Sequence, residues 1–277
     1  HDDLALLLTT SGSTGSPKLV KLTKENIKSN AESISEYLKI GCDDRAITSL
    51  PFNYSYGLSV INSHIFSGGS IVLSNSSMME DKFWRSINDH SATSIAGVPY
   101  NYEMMLRLGI DNLDIPTIKK MTQAGGKLNY QKAKKVNDSL QLKGVDFYTM
   151  YGQTEATARI SYLPCGNIDE KPNSIGIPIP GGKLWLEDEK GSKISDSMVV
   201  GELIYEGANV SMGYAESIND LSSEDVNKGI LRTGDLAYFD EDGYYFIEGR
   251  NNRFIKVFGN RISLDSLEKL ITTKGFD

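Results

Sequence analysis

The stretch Thr9-Thr10-Ser11-Gly12-Ser13-Thr14-Gly15-Ser16-Pro17-Lys18 decides how the rest of the sequence is read. It follows directly on an apolar run, residues 4–10, whose length and composition predict a buried strand. Glycines at 12 and 15 let the backbone approach an anion closely, and successive N–H groups and hydroxyls can then donate to phosphate oxygens. Lys18 adds a mobile positive charge. The loop is not a Walker P-loop: its two glycines stand too close together, and Pro17 precedes the lysine where that motif has glycine. Taken alone, such a string is also compatible with a plain Ser/Gly surface loop.

Working outward, Thr23 predicts an N-cap, and Ile27, Ala31, Ile34 and Leu38 fall on one face of the helix it opens. Residues 45–50, 70–73, 93–96, 118–123 and 145–150 read as further strands, with helical patterns between most of them. This alternation predicts an α/β layered architecture with a largely parallel sheet and helices. After Arg159 the character changes. Residues 183–187, 200–206, 230–239 and 244–248 are short strands, and Asp240-Glu241-Asp242-Gly243 is a hairpin turn. They predict a small β-rich, barrel-like subdomain. From Asn251 a third, α+β element begins, with a strand over 253–258 and a helix over 263–272.

Composition narrows the function. A net charge of −7 with scattered basic residues disfavours nucleic-acid binding. No apolar run approaches the ~18 residues that span a bilayer, and His1-Asp2-Asp3 is no signal-peptide start, so a cytoplasmic protein without membrane insertion is expected. Cys42 and Cys165 are too far apart for a zinc motif, and His1, His64 and His90 are dispersed.

Two further turns follow predicted strands. Gln123-Ala124-Gly125-Gly126-Lys127 exposes backbone where a flat base could lie. In Tyr151-Gly152-Gln153-Thr154-Glu155, Tyr151 could stack on a base, Thr154 could donate to a phosphate, and Glu155 is a hard oxygen ligand suited to Mg²⁺. In a parallel sheet, three such motifs after three strands gather at the carboxyl edge, where ligands bind. Further on, Asp235 in Arg232-Thr233-Gly234-Asp235-Leu236 offers a carboxylate able to accept from both hydroxyls of a ribose. Each motif read singly is also an ordinary turn.

Together these motifs, in this order, resemble the adenylate-forming (AMP-binding) superfamily of acyl-CoA synthetases, luciferases and peptide-synthetase adenylation domains. The resemblance runs from Leu4 to Leu270. It implies ATP-dependent activation of a small carboxylic acid to acyl-AMP with release of pyrophosphate. The cofactors implied are ATP/AMP and Mg²⁺, with CoA or phosphopantetheine as acyl acceptor and an acyl carrier protein as a partner in the latter case. Residue by residue, it implies that Thr10, Ser11, Gly12, Ser13, Thr14, Gly15 and Lys18 hold phosphate, and that Ala124, Gly125, Gly126, Tyr151 and Gly152 hold the base. It assigns Thr154 to the α-phosphate, Glu155 to the metal, Asp235 to the ribose and Arg250 to the nucleotide. Lys18, Thr154 and Glu155 are the expected catalytic set.

Pro51-Phe52-Asn53-Tyr54-Ser55-Tyr56-Gly57-Leu58 resembles the acid-pocket motif of acyl-CoA synthetases, with Tyr54 in place of a frequent His. Tyr54, Tyr56 and Gly97 are therefore expected at the substrate pocket, and Phe52 in the core. The aspartate that amino-acid-activating relatives use is missing from this region. Asn252 stands where the family commonly has an aspartate hinge, and Lys256, Gly259, Arg261 and Glu268 match the opening of the family's lid domain. The organisation implied is an α/β nucleotide- and acid-binding part over 1–176, a β-rich subdomain over 177–250, and a hinge with a truncated lid over 251–277. The family's large N-terminal portion and its lid lysine have no counterpart here, so the chain as given is expected to be incomplete for acid activation. Two alternatives are a ligase that loads only a carrier protein and a noncatalytic nucleotide-binding module of the same fold.

Overall fold

The computed structural model describes residues 1–10 and 18–250, together with the backbone of 254–257 and 260–263. β1 (Leu4–Thr9) and β2 (Leu19–Thr23) form an antiparallel pair with Thr9 opposite Leu19. The apolar run at 4–10 is therefore a hairpin arm outside the parallel sheet, and Leu8 is its one buried residue. The connection over 10–18 explains this: it is shorter than the roughly dozen residues a parallel crossover needs. Thr23 then caps α1 (Lys24–Tyr37) as expected. Its hydroxyl accepts from the Asn26 N–H at 3.0 Å, while Asn26 Oδ1 accepts from the Thr23 N–H at 2.9 Å.

The chain continues through β3 (Arg45–Ile47), α2 (Ser55–Phe66), β4 (Ser70–Val72), α3 (Asp81–Asp89), β5 (Ser94–Gly97) and α4 (Pro99–Leu108). It then forms β6 (Lys120–Gln123), α5 (Tyr130–Gln141), β7 (Asp146–Tyr151), β8 (Ser161–Tyr162) and β9 (Ile177–Pro178). These seven strands make one sheet in the order β4-β3-β5-β6-β7-β8-β9. The pairs from β4 to β7 are parallel and the last two antiparallel, so the sheet is mixed. Its period of two divides the core. Ile95 and Phe147 join Phe83, Met105, Val136 and Leu140 on one face, whereas Ala96 and Tyr148 join Ile34, Tyr37 and Ile160 on the other.

A second, antiparallel sheet follows, from β10 (Lys183–Glu187), β11 (Lys193–Ile194), β12 (Gly201–Glu206), β14 (Ile230–Phe239) and β15 (Tyr245–Arg250), in the order β11-β10-β12-β14-β15. Between β12 and β14 the chain leaves this sheet: β13 (Tyr214–Ala215) adds to β2 in the first hairpin's sheet. β16 (Phe254–Val257) and β17 (Asn260–Ser263) form a final antiparallel pair. The strand expected at 253–258 is thus present at its centre. Ser263 of the expected 263–272 helix ends β17, and the rest of that helix lies outside the described residues.

Candidate active site

Parallel register brings the ends of three strands level, with Gly97 opposite Gln123 and Gln123 opposite Thr149. The turns after β6 and β7 consequently face one cleft of about 1290 Å³, closed on its other side by β14, β15 and the end of β13. Thr10 and Lys18, the described flanks of the phosphate loop, line it too. They arrive from the β1–β2 hairpin rather than from the parallel sheet, so only two of the three motifs follow strands of that sheet. Ser11, Gly12, Ser13, Thr14 and Gly15 lie outside the described residues, as does Asn252.

Asp235 anchors one wall of the cleft. It lies on β14, directly across from Arg250 on β15, and is 5% exposed. Its Oδ2 accepts from the Tyr151 hydroxyl at 2.5 Å and from Gln153 Nε2 at 3.0 Å, while Arg250 Nε stands 3.5 Å from Oδ1. Burial, then the Asp235 charge, raises the Tyr151 hydroxyl well above the ordinary tyrosine range, which keeps it a donor. The Tyr151 ring, Ala124, Gly125 and Gly126 line the same cleft. At Gly125, with φ +77°, an added Cβ would sit 2.2 Å from the Tyr54 hydroxyl, so the missing side chain keeps this wall thin.

The Thr154–Glu155 turn lines the same cleft as Lys18 and Tyr214. Glu155 Oε1 accepts from the Tyr214 hydroxyl at 2.6 Å, and Thr154 Oγ1 lies 3.2 Å from Ser55 Oγ. Among the described residues no group of three or more His, Cys, Asp or Glu gathers to form a metal cage. A single carboxylate beside a hydroxyl fits Mg²⁺, which is commonly held by one or two carboxylates plus substrate phosphates. Lys18 pairs with Glu216 at 2.7 Å.

Among the residues expected at the acid pocket, Tyr54 is half-buried and borders the cleft. Tyr56 is 3% exposed, and its hydroxyl donates to the Thr122 carbonyl at 2.7 Å. Burial pushes that hydroxyl's pKa up to about 12. Tyr56 thus forms the floor, with the fully buried guanidinium of Arg159 stacked 4.3 Å from its ring. Gly97 is buried against Tyr102 and Asn101 rather than on the cleft surface. Phe52, expected in the core, is 51% exposed, because it sits in the turn preceding α2 and not on that helix's buried face.

The profile of AMP-binding enzymes matches residues 1–215. The chain belongs to the AMP-binding enzyme family. It is 27% identical over 272 residues to luciferin 4-monooxygenase of Luciola mingrelica, covering 97% of this chain and 49% of that protein. It is 30% identical over 269 residues to 2-succinylbenzoate–CoA ligase of Bacillus pumilus, covering 97% and 53%. The solved O-succinylbenzoate coenzyme A synthetase of Bacillus subtilis in complex with AMP superposes with a TM-score of 0.84 at 28% identity, over 98% of this chain and 55% of that one. The same enzyme in complex with ATP and magnesium ion gives a TM-score of 0.80. The chain spans about half the length of the curated relatives it matches.

Around this cleft, the sequence reading assigned no site role to Gln153, Ser55, Tyr214 or Glu216. Gln153 occupies the variable position of its motif, yet its amide donates to Asp235, to the Tyr151 hydroxyl at 3.1 Å and to the Thr233 carbonyl at 3.0 Å. Nothing in a single sequence marks it. The side of the cleft on which Tyr214 stands depends on β13 pairing with β2.

Gly152 illustrates how tightly the β7 turn is built. An added Cβ would lie 1.8 Å from the Ala158 carbonyl oxygen, a backbone atom with little freedom to retreat. Gly152→Ala is expected to destabilise the fold by about 1–3 kcal/mol, the usual cost of overpacking, and to loosen nucleotide binding with it. Urea unfolding checks this. An unchanged midpoint would mean that the turn re-forms around the methyl group.

Proposed function

We propose that the protein activates a small carboxylic acid as its acyl-AMP, releasing pyrophosphate, and then passes the acyl group to the thiol of CoA, releasing AMP. The observation that carries this is the convergence of Lys18, the Thr154–Glu155 turn and the Tyr151–Asp235 pair on one cleft, with the half-buried Tyr54 at its far end. Asp235 would receive the ribose hydroxyls, the Tyr151 ring and the Ala124–Gly126 backbone the adenine, and Thr154 and Lys18 the phosphates.

Attack of a carboxylate on the α-phosphorus brings two anions together, so the site must supply positive charge and donors. Lys18 would offset the triphosphate charge, the hydroxyls of Ser13 and Thr14 would donate hydrogen bonds to it, and Glu155 would hold the magnesium ion. Bound with ATP, that ion would spread charge over the phosphate oxygens. No nucleophilic side chain is needed, because the substrate carboxylate is itself the nucleophile and catalysis rests on positioning and electrostatics. The acceptor is drawn from relatives whose names specify CoA ligation. No helix among the described residues is long and apolar enough to cross a membrane.

The test is acid-dependent ATP–pyrophosphate exchange by the native protein across a panel of aliphatic and aromatic carboxylic acids. The products with CoA and with a phosphopantetheinylated carrier protein are then identified by mass. Exchange stimulated by one class of acid, with a CoA thioester as product, is the expected result. A thioester on the carrier protein alone would replace CoA as acceptor, and nucleotide binding without exchange under any acid would overturn the assignment.

A further inference from the structure

We propose that Tyr214 is a positioning residue for Glu155, and that the segment carrying it ties Lys18 and β2 to the Thr154–Glu155 turn. This rests on reading Glu155 as the magnesium carboxylate. The phenol donates to Glu155 Oε1 at 2.6 Å. With Oε1 held, the carboxylate loses rotational freedom, and Oε2, which accepts no hydrogen bond among the described residues, is left for a metal. Such outer partners of metal-binding groups fix their orientation in the same way.

The backbone around Tyr214 is fixed from both sides. Toward the turn, the Ser211 N–H donates to the Glu155 carbonyl at 2.8 Å, and Thr157 Oγ1 donates to the Asn209 carbonyl at 2.8 Å. Toward the first hairpin, Tyr214 pairs with Val20 and Ala215 with Leu19 on β2. The Lys21 N–H also donates to the Gly213 carbonyl at 2.9 Å. Lys21 itself is 1% exposed, and its ammonium donates to the carbonyls of Asp220 and Ser223, closing the segment after β13.

Strand alternation then sorts the side chains. Ala215 is buried, whereas Tyr214 and Glu216 both face the cleft. Glu216 meets Lys18 at 2.7 Å, and the Lys18 ammonium lies 5.9 Å from the centre of the Tyr214 ring. This short strand and the residue after it therefore contact both Lys18 and Glu155, which the chain delivers from the ends of different sheets. A shift of β13 would move both together.

The hydroxyl can be removed without opening a cavity, since Tyr214 is 45% exposed. The experiment measures ATP binding by Tyr214→Phe and by wild type in the native protein, by calorimetry, across a magnesium titration and in EDTA. The expected result is roughly a tenfold rise in the Mg²⁺ concentration needed for half of the magnesium-dependent gain in affinity, at the lower end for such partners. Affinity in EDTA and the unfolding midpoint should be unchanged. Added to Glu155→Gln, Tyr214→Phe should have no further effect. An unchanged magnesium requirement in Tyr214→Phe, with Glu155→Gln shifting it strongly, would overturn this proposal alone. A requirement that even Glu155→Gln leaves in place would remove the magnesium assignment and the proposal with it. Equal losses with magnesium and in EDTA would show that Tyr214 acts only through the fold.

Discussion

Glu155→Gln is expected to slow acid-dependent pyrophosphate exchange by roughly 10²–10³ while leaving the fold intact, a barrier increase of a few kcal/mol. The substitution is nearly isosteric. The side-chain carbonyl of the introduced glutamine can still accept from Tyr214, and the backbone carbonyl at this position keeps its bond from Ser211. What disappears is one negative charge on the only carboxylate of the Thr154–Glu155 turn, in a cleft where the proposed chemistry needs a divalent cation. The loss should be relieved in part by higher magnesium, because it is a loss of metal affinity as well as of orientation. Unfolding curves of the two proteins should coincide. Exchange at the wild-type rate would take Glu155 out of the site and move the metal to another donor.

Asp235→Ala should weaken ATP binding by about 1.5–3 kcal/mol, roughly ten- to a hundredfold, through lost charge-assisted hydrogen bonds to the ribose. The structure refines this expectation. Asp235 also anchors the Tyr151 hydroxyl and the Gln153 amide, so its removal loosens the base wall as well. A 2′,3′-dideoxy analogue, which has no hydroxyls to lose, should therefore show a smaller loss than ATP, and what remains is the Tyr151 contribution. Tyr151→Phe isolates that contribution: it should cost ATP and the analogue alike. If Asp235→Ala weakened both nucleotides equally, the carboxylate would be a structural acceptor for Tyr151 and Gln153 and not a ribose ligand.

Much of the fold was legible because it is written in local signals. Thr23 with Asn26 three residues on encodes the start of α1 within four residues of chain. The strands near 45, 70, 93, 118 and 145, each separated from the next by a helix or short helical connection, permit little but a parallel sheet. The misreading of β1 has an equally local cause. A run such as Leu4–Thr9 has the same composition in a hairpin as in a parallel core strand, and only the short return to Leu19 tells them apart. Phe52 was misjudged because an aromatic residue beside a helix start carries no mark of which way it turns.

The sequence by itself determined the chemistry available: a Gly/Ser/Thr loop ending in Lys18, a Thr-Glu turn, an aspartate in Thr233-Gly234-Asp235 and an aromatic wall, in the order of the AMP-binding family. These are contiguous strings, and contiguous strings survive being read in one dimension. Only the tertiary structure decided which of them touch. Tyr151 and Asp235 are 84 residues apart, Glu155 and Tyr214 are 59 apart, and Lys18 reaches Glu216 from the far end of the domain. The first of these meetings depends on β14 lying beside the end of β7, and the other two on the chain leaving the second sheet so that β13 can pair with β2. Those placements are set by burial of whole faces and by pairing between distant strands, energies summed over many residues that no short motif carries.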